Sequence, residues 1–465
     1  GLFDVNGEWD VENYGVELET PLGVAAGPHS QLAQNIIVAW LVGARFIELK
    51  TVQTLDELDV NKPCIDLEDE GYNVEWSQEL KVYQSFDEYL RAWVLIHALH
   101  KKLGFPGDSP GMIFNMSVGY NLEGILEPNV QWYLDVMNDS SEYLSAYIDI
   151  VAEHCPEVRD ISIPAQLSNT MTLSTMHGCP PEEIEQITTY LLNERGLHTS
   201  VKCNPTLLGA ERVRSIINDE LGFTDVVVPD EAFGHDLKYV DAVPMFHNLK
   251  RIAKAKDLTF GLKLSNTLEV ENHRMEFPDD DMMYMSGRAL HAVTTNLALR
   301  LSEEFRGDLL LSFAGGADAF NVADLLRSGM TTITVCSDLL KTGGYLRMPQ
   351  YIEELNLALD KAEAADLADL AGRTALSEHH YASFSEMLAA SALADSGLAF
   401  GLADAHELAT YLGGTLPGPV ADSVHQWAVE NGYSDERAAT LTRLAMRALA
   451  RVNLRSYAHE VREDW

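Results

Sequence analysis

Clustered cysteine is absent from this chain, which holds Cys64, Cys155, Cys179, Cys203 and Cys336, an odd number with no C-x-x-C spacing. That pattern encodes neither a disulfide framework nor a cysteine-built zinc or iron–sulfur site, and a reducing, cytoplasmic setting is expected. Basic residues are also scarce: 33 Lys and Arg stand against 71 Asp and Glu, a formal net charge of −38. Such a field repels phosphate backbones and acidic lipid surfaces, which argues against nucleic acid and membrane as partners. The carboxylates are scattered rather than gathered in a tail, as in a heavily solvated surface adapted to high salt, or in an ordinary acidic cytosolic enzyme. No apolar run reaches the ~18 residues of a membrane span, and the longest, Ile36 to Val42, soon meets Arg45. The sequence starts at Gly1 without Met and without a basic-then-apolar leader, so export is not expected and a preceding stretch is left open.

What is present is globular in composition, with 46% hydrophobic and 22% charged residues over 465 positions. Eight short apolar or β-branched runs alternate with helical patterns: Leu22–Ala26, Phe46–Lys50, Met112–Met116, Met171–Thr175, Ser200–Asn204, Phe260–Leu264, Leu309–Phe313 and Thr332–Cys336. Amphipathic stretches such as Glu182–Glu194 and Gly287–Glu304 fit between them. Eight strands with covering helices predict an α/β fold, a (β/α)8 TIM barrel over residues 1–350. The segment 52–111 after the second strand is expected as an insertion over the mouth, with one helical stretch from Phe86 to Lys101. From about Tyr351 the composition turns to Ala, Leu, Asp and Glu with near-3.6 spacing through LDKAEAADLADLAGR and ERAATLTRLAMRALARVNLRSYAHEV. Residues 351–465 are therefore expected to form a helical C-terminal region or connector, broken at Gly413-Gly414 and Pro417-Gly418-Pro419.

Barrel chemistry sits at the C-terminal ends of the strands. Lys50 and Lys202 both close strand runs, and two ammonium groups at one mouth beside amides and hydroxyls predict a polar, partly anionic ligand. Gly315-Gly316 after the seventh run, and Cys336-Ser337 after the eighth, stand where such barrels commonly hold a phosphate. The segment TLSTMHGCPPEEIE, Thr172–Glu185, puts Thr175, His177 and Cys179 on one loop, where each is a candidate for moving a proton or simply a packed loop residue. No metal is expected, because His177 and Cys179 have no local co-ligands.

These strand ends resemble the FMN barrel shared by dihydroorotate and dihydropyrimidine dehydrogenases. Within that group the chain resembles the selenate reductase subunit family, through TPLGVAAGPHSQLAQNI, RFIELKTVQ, IFNMSVGYNLEGI, NPTLLG, MYMSGRAL and DLLKTGGYLR as well as TLSTMHGCPPEEIE. The resemblance implies that Ala25, Ala26, Gly27, Lys50 and Thr51 line the FMN ring and that Lys202 faces its pyrimidine end. It assigns the FMN phosphate to Gly315, Gly316, Cys336 and Ser337, and a planar substrate to Asn121, Asn266, Thr267 and Ser286.

Two departures from the pyrimidine enzymes stand out. Those enzymes read N-L-S-C-P at the fourth strand, where this chain reads Thr172-Leu173-Ser174-Thr175-Met176, so Thr175 takes the acid/base position or passes the task to His177 or Cys179. No dinucleotide fingerprint or cysteine cluster is present, so iron–sulfur clusters and FAD are expected on a partner subunit or in a further part of a longer polypeptide. The expected activity is flavin-dependent hydride transfer to or from a small polar, heterocyclic substrate. The alternatives are a Schiff-base lyase or aldolase using Lys202, and a non-catalytic flavin-carrying scaffold subunit.

Overall fold

The computed structural model describes residues 11–54, 65–66, 72–73, 80–174, 178–273, 281–394 and 398–463. A closed, all-parallel barrel organises the first three quarters of the chain. Its strands are β1 (Leu22–Val24), β2 (Phe46–Glu48), β3 (Ile113–Val118), β4 (Thr170–Leu173), β5 (His198–Cys203), β6 (Phe260–Leu264), β7 (Leu310–Phe313) and β8 (Thr332–Val335), in the order β6-β7-β8-β1-β2-β3-β4-β5. Each coincides with one of the eight sequence runs, because a strand buried on both faces is written as a short continuous apolar stretch. In this order β2 and β6 lie on opposite walls of the barrel.

Helices cover the outside, among them α1 (Ala33–Leu41), α2 (Val82–Leu103), α3 (Pro181–Asn193) and α4 (His291–Glu304). The segment 52–111 divides its work. Two short strands within it, Ile65–Asp66 and Tyr72–Asn73, join Leu268–Glu271 and Met282–Met285 in a four-stranded sheet built from the chain that follows β2 and β6. Its helix α2 departs from the expected excursion and belongs to the barrel wall, with Phe86, Tyr89 and Leu90 in the main core, because an apolar face of that width needs a partner.

The N-terminal end of the barrel is closed by an antiparallel hairpin, Val11–Asn13 with Val16–Leu18. Tyr14 at its turn packs against Phe46 and shares a 2.8 Å hydrogen bond with the Ser200 hydroxyl inside the barrel.

Beyond the barrel, the described residues form helices at Met348–Ala362, Leu367–Ser377, Tyr381–Ala394, Leu402–Leu412, Val420–Glu430 and α5 (Asp435–Glu463). The stretch LDKAEAADLADLAGR is split rather than continuous. Glu363 takes a left-handed conformation (φ 51°), and the Asp366 carboxylate accepts from the Asp369 amide at 2.7 Å, starting a new helix. A second hydrophobic core collects Phe384, Leu388, Leu408, Val424 and Trp427. Helix α5 serves both cores: Leu441, Ala445, Leu449 and Val452 pack into the second, and Leu454, Tyr457 and Val461 into the barrel's.

Candidate functional site

The barrel interior is polar along one diagonal. Glu48, at the end of β2, is fully buried, and its carboxylate lies 2.8 Å from Lys263 Nζ on β6 and 3.7 Å from Lys202 Nζ on β5. Lys263 and Lys202 are register neighbours on adjacent strands, so their side chains emerge on the same, inner face. Lys263 Nζ also donates to Ser312 Oγ at 3.1 Å and to Thr334 Oγ1. Together with the Glu48 ion pair, these two hydrogen bonds surround the buried ammonium with polar partners. Burial alone would raise the Glu48 carboxyl, but the Lys263 and Lys202 charges outweigh it and hold the group below the ordinary carboxylate range. A second network joins Asn115, whose amide donates to Thr170 Oγ1 at 3.0 Å and accepts from Thr172 Oγ1 at 2.6 Å.

At the C-terminal mouth, Ala25, Ala26 and Gly27 follow β1 directly, and the Ser30 hydroxyl ties the loop by donating to the Ala25 carbonyl at 3.1 Å. Gly27 lies so near Cys336 that an added Cβ would stand 3.0 Å from its sulfur, which brings the β1 and β8 tails together. Lys50 is buried, and its carbonyl accepts from the Tyr89 hydroxyl at 3.0 Å. Thr51 Oγ1 is 2.7 Å from Ser117 Oγ, and Lys202 keeps a small exposed fraction at the mouth.

A small pocket lies between the tails of β7 and β8, lined by Gly287, Arg288, Gly316, Cys336, Ser337 and Lys341 among others. Gly316 has φ 76°, and a Cβ there would come within 2.5 Å of the Gly287 carbonyl oxygen, so only glycine fits. Gly315 is fixed from behind: its carbonyl is 3.0 Å from His291 Nδ1, whose Nε2 is 2.6 Å from Tyr457 Oη on α5. Asp338 beside the pocket is balanced by Arg347 at 2.8 Å and Tyr351 at 2.7 Å. Ser286 Oγ is 3.2 Å from Ser337 Oγ, which puts it beside this pocket rather than with the amides expected around the substrate.

Those amides sit elsewhere on the rim. Asn266 and Thr267 follow β6, with Asn266 Nδ2 donating to Asn204 Oδ1 at 2.8 Å. The Thr267 hydroxyl is buried with no protein partner. Asn121 follows β3 and is exposed, its side chain accepting from the Gly124 amide at 2.8 Å as a helix cap.

The loop after β4 carries the proton-transfer candidates. Thr175 and His177 lie outside the described residues. Cys179 is half-buried, and desolvation together with the nearby Glu183 carboxylate pushes its thiol up to about 11. Sequence reasoning passed over the residues that hold this loop. The buried Asp236 accepts from the Gly178 amide at 3.1 Å and from Thr206 Oγ1 at 2.7 Å, while the His235 ring packs over Gly178 and lies 3.8 Å from Glu269. It also passed over Glu48 and Lys263. A charged residue inside an apolar run, as in Phe46-Ile47-Glu48-Leu49 and Phe260-Gly261-Leu262-Lys263-Leu264, was the available signal.

Fold and mouth together define a (β/α)8 barrel with a polar, cation-lined mouth at the C-terminal ends of its strands. Residues 2–383 match the family described as oxidoreductase YgfK, N-terminal TIM-barrel domain, and the chain belongs to that family. It is 47% identical over 364 residues to the protein named "Putative oxidoreductase YgfK" from Escherichia coli strain K12, a match covering 74% of this chain and 35% of that relative. The relative of the same name from Escherichia coli O157:H7 matches equally. The chain thus spans about a third of the length of the curated relatives it matches. In fold it is similar to a ligand-free dihydroorotate dehydrogenase (DHODH) from Eimeria tenella, with TM-score 0.50 and 15% identity over 79% of this chain and 92% of that one. Among the described residues no helix is long and apolar enough to cross a membrane.

Proposed function

We propose that this barrel binds FMN and exchanges a hydride between the flavin and a small planar, hydrogen-bonding substrate. The reading is carried by the pocket between the β7 and β8 tails, where the Gly316 turn allows close backbone approach and the Arg288 and Lys341 cations, set beside the Asp318 and Asp338 carboxylates, would meet one phosphate. Bound at this mouth, FMN would supply the hydride chemistry, and the chain supplies position and charge. Gly315, Gly316, Cys336 and Ser337 would hold its phosphate, with Ala25, Ala26, Gly27, Lys50 and Thr51 along the ring and Lys202 at the pyrimidine edge.

With FMN bound, Lys202 would oppose the negative charge of the reduced ring. The partnerless Thr267 hydroxyl and the Asn204–Asn266 amide pair offer hydrogen bonds to a substrate. The β4 loop, anchored by Asp236 through the Gly178 amide, carries the proton. Cys179, raised to about 11, holds its proton at neutral pH and is not available there as a base. An iron–sulfur and FAD partner, either another subunit or a further part of a longer chain, would supply or accept the electrons. Planar heterocycles are the first substrates to test, and selenate is the acceptor that the sequence resemblance adds.

The test is direct. Purified protein should show a flavin absorption spectrum and release FMN, not FAD, on denaturation; active protein without flavin would defeat the reading. A Schiff-base role for Lys202 requires an uncharged amine, whereas its nitrogen has the Glu48 carboxylate 3.7 Å away. Borohydride trapping of a substrate on Lys202 would favour that rival.

A further inference from the structure

Two buried charges in the barrel interior have no part in the reading above. Glu48 and Lys263 sit on opposite walls, 2.8 Å apart, with side chains almost wholly removed from water. Removing both ions from water carries a penalty that a well-packed apolar pair would avoid. Packing therefore does not explain why a carboxylate and an ammonium meet at the centre of the barrel.

Their position relative to Lys202 does offer a reason. Glu48 lies between the two lysines, 2.8 Å from Lys263 and 3.7 Å from Lys202, and of the three side chains only Lys202 has appreciable exposure toward the mouth. Two ammonium groups and one carboxylate leave a net charge of +1 in a shielded volume. Without Lys263, the carboxylate would belong wholly to Lys202 and cancel it. Without Glu48, two uncompensated ammonium groups would face each other along β5 and β6, where their residues are register neighbours.

We propose that Glu48 and Lys263 are positioning residues that set the charge Lys202 presents to the ligand, and so set how strongly the barrel favours the reduced flavin. This inference rests on the flavin reading above. Lys263 occupies one side of the Glu48 carboxylate and frees part of the Lys202 charge for the mouth, while Glu48 holds the Lys202 ammonium in place. The interaction crosses a shielded interior, where a unit charge several ångströms away shifts an equilibrium on the order of tenfold.

The experiment is a spectroelectrochemical titration of the bound flavin in the wild type, Lys263→Met, Glu48→Gln and the double variant, with thermal melts alongside. Lys263→Met lowers the local charge by one, and the flavin midpoint should move to more negative potential, by on the order of a tenfold change in the reduced-to-oxidised ratio at fixed potential. The double variant restores the net charge of +1, and its midpoint should return toward that of the wild type. Should Glu48→Gln fold poorly, Lys263→Met and the double variant carry the test. Melting temperatures that fall while the midpoint stays fixed would mean a purely structural pair and would overturn the proposal. Wild-type protein that binds no flavin overturns the reading on which it rests, and the two failures are thereby distinct.

Discussion

Cys179 illustrates how far a residue's chemistry departs from its type. A free thiol near its ordinary pKa of about 8.5 transfers protons readily at neutral pH, yet burial and Glu183 push this one up to about 11. Glu183 cannot simply turn away, since its carboxylate accepts from the Leu122 amide at 3.0 Å and so joins α3 to the loop after β3. Alkylation of Cys179 by iodoacetamide should accordingly be slow at pH 7 and accelerate through pH 9 to about 11, and Glu183→Gln should bring the onset to lower pH. Rapid labelling at neutral pH, followed by peptide mapping, would contradict the assignment. The strand-end positions of the candidates were legible in the sequence because each follows directly on an apolar run. Glu48 and Lys263 were not, because they stand inside their runs, where only the closed barrel reveals that the two walls meet.

At the scale of elements, the eight strands read clearly because burial on both faces leaves continuous apolar runs with little to confuse them. Helix breaks read less well. The Ala- and Leu-rich stretch from Leu359 to Arg373 keeps its period, but Asp366 caps a second helix, and a local side-chain hydrogen bond is invisible to periodicity. The N-terminal hairpin was not anticipated, since its two three-residue strands are too short to carry a pattern. Its worth can be measured. Tyr14→Phe removes the hydrogen bond to Ser200 and should cost about 1 kcal/mol, whereas Tyr14→Ala also empties the ring's site against Phe46 and should cost about 3 kcal/mol or more. Chemical denaturation measures both. Occupancy of the proposed flavin site should be the same in both variants as in the wild type, because the hairpin closes the end of the barrel opposite the mouth.

The whole molecule carries a pH dependence written in its buried histidines. Burial lowers His29, His97 and His291 to about 4 each from an ordinary value of 6.5. Below pH 6.5 the unfolded chain takes up protons that the folded chain refuses, so stability is full above that pH and is lost as pH falls toward 4. Each histidine contributes about 1.4 kcal/mol per pH unit within that window, and the loss levels off below it. Melts recorded from pH 7 to pH 4 should show a steep decline, and a flat profile over that range would refute the buried, neutral assignment.

Helix α5 gives this architecture a property that neither core has alone. One continuous helix of 29 residues runs from the helical region into the barrel's flank, and near its end Tyr457 meets His291, which holds the Gly315 carbonyl. The far end of the helix is thereby linked, through Tyr457 and His291, to the glycine turn proposed to grip a phosphate.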